Sequence, residues 1–168
     1  MQVTVIGDSN TNEKNYKIAY ELGKILAKEG IIVINGGRGG IMEAICKGVK
    51  EMNGISVCIL PSEDKREANK YCSIVIPTGI GFARNSINVL AGDGVIAIGG
   101  RAGTLSELAF AWIYNKPIVV IEDTNGWSNR LKNQKIDDRR TDIIYSATTP
   151  KEAVEKIKDL IRKEINQE

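Results

Sequence analysis

The sequence predicts an α/β fold built on a mainly parallel sheet, and three observations support this prediction. Short runs of β-branched residues alternate with amphipathic segments along the whole chain. The run at 31–34 is continuously apolar, as expected for a strand covered on both faces of its sheet. Turns rich in glycine or in small polar residues follow several of the runs and precede amphipathic segments. We therefore expect one domain over residues 1–168, a Rossmann-like three-layer sandwich.

Each element has its own local signal. Gly30 follows a helical stripe of apolar residues in the position typical of a helix end. Thr149-Pro150-Lys151-Glu152 combines a Thr cap, proline at the first helical position and glutamate at the third, a strong helix start. Helices are also predicted before Gly30, from Ile41, over 81–90 and after Thr104, and strands over 2–7, 31–34, 55–60, 73–76, 94–98, 118–121 and 143–145. Residues 122–141 are polar and irregular, a composition that fits either an ordinary loop or a mobile lid.

The composition is that of an ordinary globular protein. The formal net charge of the 168 residues is +2, which is too small to indicate nucleic acid or an anionic membrane as a partner. No apolar stretch reaches the length of a membrane span, and the first residues are typical of a strand rather than of a signal peptide. We therefore expect a cytoplasmic protein that binds neither nucleic acid nor membrane.

The cysteine and histidine content limits the available chemistry. Histidine is absent, which excludes Ser-His-Asp and Cys-His catalysis and histidine metal ligands. The three cysteines, Cys46, Cys58 and Cys72, are an odd number without a Cys-x-x-Cys pair, which argues against a disulfide framework and a zinc site. We expect Cys46 and Cys58 in the core and no metal site, so that carboxylates, lysine, tyrosine or cysteine would carry any proton transfer.

Glycine-rich turns at the ends of predicted strands indicate a phosphate site. Glycine allows a ligand to approach the main chain closely, and the free N–H groups of a following helix start attract anions. The main-chain amides of residues 100–104 are the best candidates for the phosphate, whereas Arg38 and Arg101 either add charge or only cover the surface. The residues expected at the ligand are Gly7, Ser9, Gly36, Gly37, Arg38, Gly39, Gly40, Gly99, Gly100, Arg101, Ala102, Gly103 and Thr104.

Two well-known nucleotide motifs do not fit these turns. A dinucleotide fingerprint needs three spaced glycines after the first strand, where only Gly7 stands, and Met42 occupies the third glycine position of the second cluster. A Walker A loop needs a Gly-Lys-Ser/Thr triplet, which the sequence lacks. Mononucleotide or phosphate binding outside these two motifs is what the sequence favours.

Three segments resemble the LOG ("lonely guy") family. Gly100-Arg101-Ala102-Gly103-Thr104-Leu105-Ser106-Glu107 resembles a variant of that family's Pro-Gly-Gly-x-Gly-Thr-x-x-Glu motif. The segments 36–42 and 81–85 resemble the family's earlier glycine-rich segment and its arginine segment. The three stand in the family's order, and the resemblance runs from the first strand to about Val120.

The resemblance implies one of two functions. LOG-like phosphoribohydrolases cleave the N-glycosidic bond of a nucleoside 5′-monophosphate, giving the base and ribose 5-phosphate, and Arg84 and Glu107 match their catalytic arginine and glutamate. The molybdenum-cofactor carrier branch binds a pterin phosphate without an established reaction. Gly99 at the motif's proline, Arg101 at its second glycine and Asn85 at a usual lysine depart from the hydrolase pattern. The spellings Ala83-Arg84-Asn85 and Gly103-Thr104-Leu105-Ser106-Glu107 resemble the carrier branch more closely. Hydrolysis is our leading hypothesis and a pterin-phosphate carrier the alternative.

The resemblance also implies partners and cofactors. Either branch binds a small phosphorylated ligand and forms a homo-oligomer, a dimer or a tetramer. No cofactor is required, although a molybdopterin-type cofactor is the bound ligand in the carrier branch. Lysine decarboxylation, a label once given to such proteins, needs pyridoxal phosphate on a lysine, and Lys47 and Lys50 near the glycine turns fall on helical, exposed faces.

The candidate catalytic residues also have structural interpretations. Thr104-Leu105-Ser106-Glu107 fits a capping box, in which Glu107 caps its own helix rather than acting as a base or stabilising an oxocarbenium-like transition state. Arg84 is either a solvated surface group or a ligand contact that also orients Glu107. Asp8 and Ser9, after the first strand, either form a turn and cap or contact the ligand.

Overall fold

A single parallel sheet of seven strands organises the computed structural model, which describes residues 1–166. The strand order is β4-β3-β2-β1-β5-β6-β7, and each of the six neighbouring pairs is parallel. The strands are β1 Gln2–Gly7, β2 Ile32–Asn35, β3 Ser56–Leu60, β4 Ile74–Pro77, β5 Gly94–Ile98, β6 Ile118–Ile121 and β7 Tyr145–Ala147. The predicted α/β class with a parallel sheet is confirmed.

Helices cover both faces of the sheet. They are α1 Glu13–Lys28, α2 Ile41–Glu51, α3 Arg84–Ala91, α4 Ala102–Ile113, α5 Gly126–Leu131 and α6 Pro150–Ile165, with short 3₁₀ turns at Lys65–Glu67 and Gly81–Ala83. One apolar layer packs α1, α2 and α6 against the sheet, around buried residues such as Leu22, Ile45 and Ile157. The other packs α3 and α4 through residues such as Val89 and Trp112. The three layers match the predicted sandwich.

The strand order places a crevice beside β1. From β1 the chain proceeds to β2, β3 and β4 on one side, whereas β5, β6 and β7 follow on the other side. Loops leaving β1 and β5 therefore diverge to opposite faces at the carboxyl ends of the strands, and open α/β sheets bind ligands at such a point. The turns after β1, β2 and β5 all open at this edge.

The polar segment 122–141 contains a helix that the sequence did not indicate. The first amides of α5 donate to the turn after β5, with Trp127 N 3.0 Å from the oxygen of Gly100 and Ser128 N 3.0 Å from that of Gly99. These tertiary bonds, rather than an apolar stripe, fix α5. The beginning of the segment thus supports the turn after β5, and for the rest of it the ordinary loop and the lid both stay as alternatives.

Several boundaries differ from the sequence prediction: β2 and β4 lie one residue later, β3 begins one residue later, and α4 begins at Ala102 rather than after Thr104. The predicted helix 81–90 divides into a 3₁₀ turn at Gly81–Ala83 and the helix α3, which begins at Arg84. The last strand begins at Tyr145 rather than at residue 143, because pairing with β6 sets its position.

The argument against disulfides was wrong for one pair. Cys58 in β3 and Cys72 before β4 form a disulfide, while Cys46 is a free, buried thiol. Sequence spacing could not show this pairing, because the parallel register of β3 and β4 brings together residues that are 14 positions apart. Cys46 and Cys58 lie in the core, as expected.

Within residues 1–166, no helix combines the length and the apolar character needed to cross a bilayer.

We predict that Gly48→Ala strongly destabilises the fold. A Cβ at Gly48 in α2 would overlap the backbone oxygen of Tyr20 in α1, so the two helices would have to separate. We expect a loss of about 1–3 kcal/mol in the free energy of unfolding, measured by urea denaturation.

Gly103→Ala is the matched control for this prediction. A Cβ at Gly103, also in a helix, has no neighbour within 4 Å. Alanine should stabilise this position by roughly 0.5–1 kcal/mol because it favours helix more than glycine does. Equal stability of the two variants would contradict close packing between α1 and α2.

Candidate functional site

A cleft of about 460 Å³ lies at the carboxyl ends of β1, β2 and β5. Among the predicted site residues, those that line it are Gly7, Ser9, Gly36, Arg38, Arg84, Arg101, Gly103, Thr104 and Glu107. The other predicted residues, Gly37, Gly39, Gly40, Gly99, Gly100 and Ala102, lie in the same turns but do not line the cleft. The fold therefore brings residues from all three glycine-bearing turns to one cavity.

Asp8 connects the turns that surround the cleft. Its backbone oxygen accepts a hydrogen bond from Ile41 N at the start of α2, at 2.9 Å. Its Oδ2 accepts one from Gly100 N in the turn after β5, at 3.2 Å. Glycine is required at position 40, where φ is 61° and a Cβ would overlap the oxygen of Asp8. Asp8 thus fixes both helix starts relative to β1.

The N-terminus of α4 offers unpaired amides to the cleft. The helix begins at Ala102, and its cap residue Arg101 makes no side-chain capping bond. The first intrahelical bond runs from Leu105 N to the oxygen of Arg101, so the amides of residues 102–104 have no partner within the helix. Gly103 and Thr104 line the cleft, where such amides attract anions.

The N-terminus of α2 has the same character. Its cap residue, Gly40, provides no side-chain bond, and Ala44 N makes the first intrahelical bond, to the oxygen of Gly40. Met42, in the first turn, lines the cleft. Two helix dipoles therefore direct their positive ends at one cavity.

The turn after β5 is already bonded within the protein. Gly99 N donates to Thr124 Oγ1 at 2.9 Å, and Gly100 N donates to Asp8. Their oxygens accept bonds from α5. Gly99 and Gly100 thus hold the turn in place, while the amides that remain for a ligand come from the next three residues.

The second glycine cluster also has a structural part. Gly37 N donates to Asn35 Oδ1 at 2.8 Å, and Gly37 accepts a bond from Asn69 N at 2.8 Å. Arg38 lines the cleft and forms a 2.6 Å ion pair with Glu67.

Arg84 brings a buried positive charge to the cleft. Its side chain starts at the first residue of α3, is 7% exposed, and donates through Nη1 to Asn85 Oδ1. Its Nε is buried without a hydrogen-bond partner. Gly36 leaves the space for it, since a Cβ there would lie 2.6 Å from Nη2. Burial lowers the pKa of Arg84. The guanidinium nevertheless remains charged at neutral pH, as arginine does in proteins.

Glu107 lies beside this charge and does not cap its helix. Because α4 begins at Ala102, Glu107 falls in the helix interior, and its Oε2 accepts a 2.7 Å bond from Asn88 Nδ2. The capping-box interpretation is therefore wrong. Burial raises the pKa of Glu107 to about 7, against the opposing effects of the Asn88 bond and the charge of Arg84.

Arg84 and Glu107 do not touch each other. No ion pair between Arg84 and Glu107 is present among the described residues 1–166. Each side chain instead forms a hydrogen bond with an asparagine, Arg84 with Asn85 and Glu107 with Asn88. The structure thus shows no direct bond between Arg84 and Glu107, and the two side chains interact through their charges alone.

Several cleft residues had no clear sequence signal. Asn88 contacts Glu107 and leaves its own Oδ1 buried without a partner. Phe82 lines the cleft although it is 83% exposed. Both residues follow the glycine turn at 79–81 and lie close to Arg84 in the sequence. This proximity was the sequence signal that could have placed them at the site.

The arrangement is suited to a ligand with an anionic group and a planar ring. Unpaired helix amides and a buried guanidinium bind phosphate oxygens, and an exposed aromatic ring at the rim can stack on a heterocycle. A neutral Glu107 can donate a hydrogen bond, and an ionised one can accept a proton.

Known proteins share this fold at substantial identity. An uncharacterised protein of Archaeoglobus fulgidus is 44% identical over 128 residues, covering 73% of this chain and 84% of that protein. The crystal structure of a protein designated TM1055 is 37% identical with a TM-score of 0.86, covering 94% of this chain and 98% of the other.

Two further solved structures are described as molybdenum cofactor proteins. The molybdenum cofactor binding protein of Rippkaea orientalis is 36% identical with a TM-score of 0.82, covering 95% of each chain. The molybdenum cofactor carrier protein of Chlamydomonas reinhardtii is 29% identical with a TM-score of 0.79, covering 96% of this chain and 98% of the other.

A family model settles where the chain belongs. The model of the SLOG cluster4 family matches residues 1–154, which include the whole cleft and every strand of the sheet. The chain belongs to the SLOG cluster4 family.

Proposed function

We propose that this protein binds a phosphorylated pterin of the molybdenum cofactor type and holds it without turnover. The proposal depends above all on the buried, unpaired Nε of Arg84, in a cleft bordered by the first turns of two helices that no side chain caps. A buried donor without a partner is costly, and a ligand oxygen would remove that cost. The structure thus favours an anionic ligand that completes the site.

The phosphate of the ligand belongs at the start of α4. Gly103 and Thr104 line the cleft there, and their amides have no partner within the helix. Arg101, at the cap position, adds a positive charge at the same edge. Bonds from several amides and a guanidinium to one phosphate are short and charge-assisted, which makes them stronger than neutral bonds.

The ring of the ligand belongs beside Phe82. This side chain is 83% exposed at the rim of the cleft, so the face of its ring is accessible to a planar heterocycle. The cleft volume of about 460 Å³ is in the ordinary range for small-molecule sites. Asn88 Oδ1, buried without a partner, is available to accept a bond from a ring N–H.

The relatives support this ligand class. Two solved structures that resemble this chain over nearly its full length are described as binding or carrying the molybdenum cofactor. The cleft of this chain has groups suited to that ligand, namely unpaired amides at the start of α4 for the phosphate and Phe82 at the rim for the ring.

Hydrolysis of a nucleoside 5′-monophosphate is the second candidate, and one observation favours it. The pKa of Glu107 is raised to about 7, which suits general acid–base catalysis near neutral pH. In that function Glu107 would activate water against the sugar carbon while Arg84 holds the phosphorylated sugar. Hydrolysis led on the motif resemblance alone; the two similar structures described as molybdenum cofactor proteins are why we place the carrier function first.

We also propose that the protein is a homo-oligomer. The exposed face of α3 carries Ile87 and Leu90, and Ile113 ends the neighbouring helix α4. Apolar residues on adjacent helices form a surface that association would bury. Light scattering of the purified chain measures the number of copies.

Arg84→Gln should weaken ligand binding without unfolding the protein. Removing a charge-assisted donor that is buried in the cleft should raise the Kd for a pterin monophosphate by about 10- to 100-fold, measured by calorimetry. Arg66→Gln is the control, because Arg66 is exposed, pairs with Asp64 and lies outside the cleft. Equal Kd values for native protein and Arg84→Gln would contradict the site.

The same preparation distinguishes the carrier from the hydrolase. Incubation with AMP should release neither adenine nor ribose 5-phosphate above the level of Glu107→Gln. Release by the native protein that is lost in Glu107→Gln would instead establish the second candidate.

The affinity for the anion should depend on the ionisation of Glu107. The carboxyl is neutral below its pKa of about 7 and negative above it, so only at higher pH does it repel the ligand. Glu107→Gln cannot ionise and removes this effect. We expect equal affinities of the two proteins at pH 6 and about tenfold weaker binding by the native protein at pH 8.

Comparison with the variant is necessary because the phosphate of the ligand also titrates in this range. Its contribution is common to both proteins and cancels in the ratio of their Kd values. A ratio that does not change with pH would contradict a buried, titrating Glu107 beside the anion.

A further inference from the structure

We propose that Cys46, Cys58 and Cys72, once reduced, form a binding site for a thiophilic d¹⁰ cation, Zn²⁺ or Cu⁺. The three sulfurs lie within 4.8 Å of one another, although they come from α2, from β3 and from the residue two positions before β4. The site lies outside the ligand cleft and does not depend on the function proposed for it.

The spacing of the sulfurs matches metal coordination. Cys46 Sγ is 3.6 Å from Cys58 Sγ and 3.9 Å from Cys72 Sγ. A tetrahedral site with metal–sulfur bonds of about 2.3 Å places its sulfurs about 3.8 Å apart. Two of the three edges of a thiolate site are therefore already present, and opening the Cys58–Cys72 bond allows the third.

The Cys58–Cys72 disulfide must be reduced before the cation can bind. A small dithiol transfers two electrons and two protons to the Cys58–Cys72 disulfide, giving two thiols and a cyclic disulfide of the reductant. The three cysteine thiols then release their protons as the cation binds, since thiolates are the ligands. The disulfide and the metal site are thus alternative states of the same residues.

Polar side chains around Cys46 distinguish the cluster from ordinary core packing. Asn35 Nδ2 lies 3.2 Å from Cys46 Sγ, in position to donate to a thiolate. Donors of this kind orient and stabilise thiolate ligands in metal sites.

The same Asn35 supplies an oxygen that a fourth ligand position needs. Its Oδ1 lies 3.7 Å from Cys58 Sγ, comparable with an edge of the same tetrahedron. With this oxygen as a fourth ligand the site is suited to Zn²⁺, which prefers four-coordinate geometry. Cu⁺ can be bound by the three sulfurs alone, because it prefers soft thiolate ligands. Cys72, which is partly exposed, provides the route of entry.

The cation site would also be coupled to the glycine turn at the cleft. Asn35 Oδ1 accepts a bond from Gly37 N, and Asn69 donates to the oxygens of Gly37 and Arg38. Hydrogen bonds through Asn35 and Asn69 therefore connect the surroundings of the cysteines to the backbone of Arg38. The test below uses the cation alone, so that its outcome is independent of the pterin ligand.

The experiment titrates the full-length, reduced protein with Zn²⁺ or with Cu⁺ under anaerobic conditions, in competition with a coloured chelator. We expect one ion per chain for at least one cation and none for the oxidised protein. Cys46→Ser should weaken binding by at least about 100-fold, because it removes one of three strong ligands. Ser62→Ala, outside the cluster, should leave binding unchanged.

Two results would overturn the proposal. One is a reduced protein that binds neither ion; the other is Cys46→Ser with the native affinity. X-ray absorption of the loaded native protein avoids any doubt about folding of the variant. Three sulfurs near the bound ion support the site, and a shell of only oxygen or nitrogen contradicts it.

Discussion

Asp8 is the residue on which the geometry of the site depends. Its backbone oxygen binds the start of α2 and its carboxylate binds the turn before α4. Strand β1, which ends one residue before Asp8, is the point where the sheet order reverses, and α2 and α4 pack on opposite faces of the sheet. The strand order brings both helix N-termini to the same edge of the sheet, and these two bonds fix their positions relative to each other.

The close contact of the turns explains why glycine is used so often there. At Gly40 a side chain would meet Asp8, and at Gly36 it would meet Arg84. The glycines therefore shape the cleft by leaving space for charged groups more than by touching a ligand. The amides left free belong to the residues that follow them, in the first turns of α2 and α4.

Burial of two charged groups reduces stability at this site. The pKa of Glu107 rises from 4.5 to about 7 on folding, so between these values the folded chain holds a proton that the unfolded chain has released. The free energy of unfolding must then fall as pH rises through that interval. Arg84 Nε and Asn88 Oδ1 remain unpaired within the protein. A ligand with an anionic group and ring N–H groups would pair with these two atoms. Its binding to the folded state would then raise the free energy of unfolding.

The fold was largely predictable from the sequence, and the site only in part. β1, β5 and β6 were predicted at their observed bounds, because their apolar runs are closed by glycine or by polar residues. Arg84 and Glu107 were found by motif resemblance, whereas Asn88 was not, since a helical asparagine has no local signal. The start of α4, α5 and the Cys58–Cys72 bond depend on tertiary contacts, which short-range patterns do not contain.

The free amides of α4 and α2 and the side chain of Arg84 are proposed to receive the anion together. An NMR titration of the ¹⁵N-labelled protein with a pterin monophosphate measures each of these groups separately. We expect saturable shifts of the amides of 102–104, of Met42 and Glu43, and of Arg84 Nε–H, with the same Kd. The amide of Gly99, already bonded to Thr124, should shift less. Shifts confined to surface lysines, or absent from α4 and Arg84, would contradict this proposal.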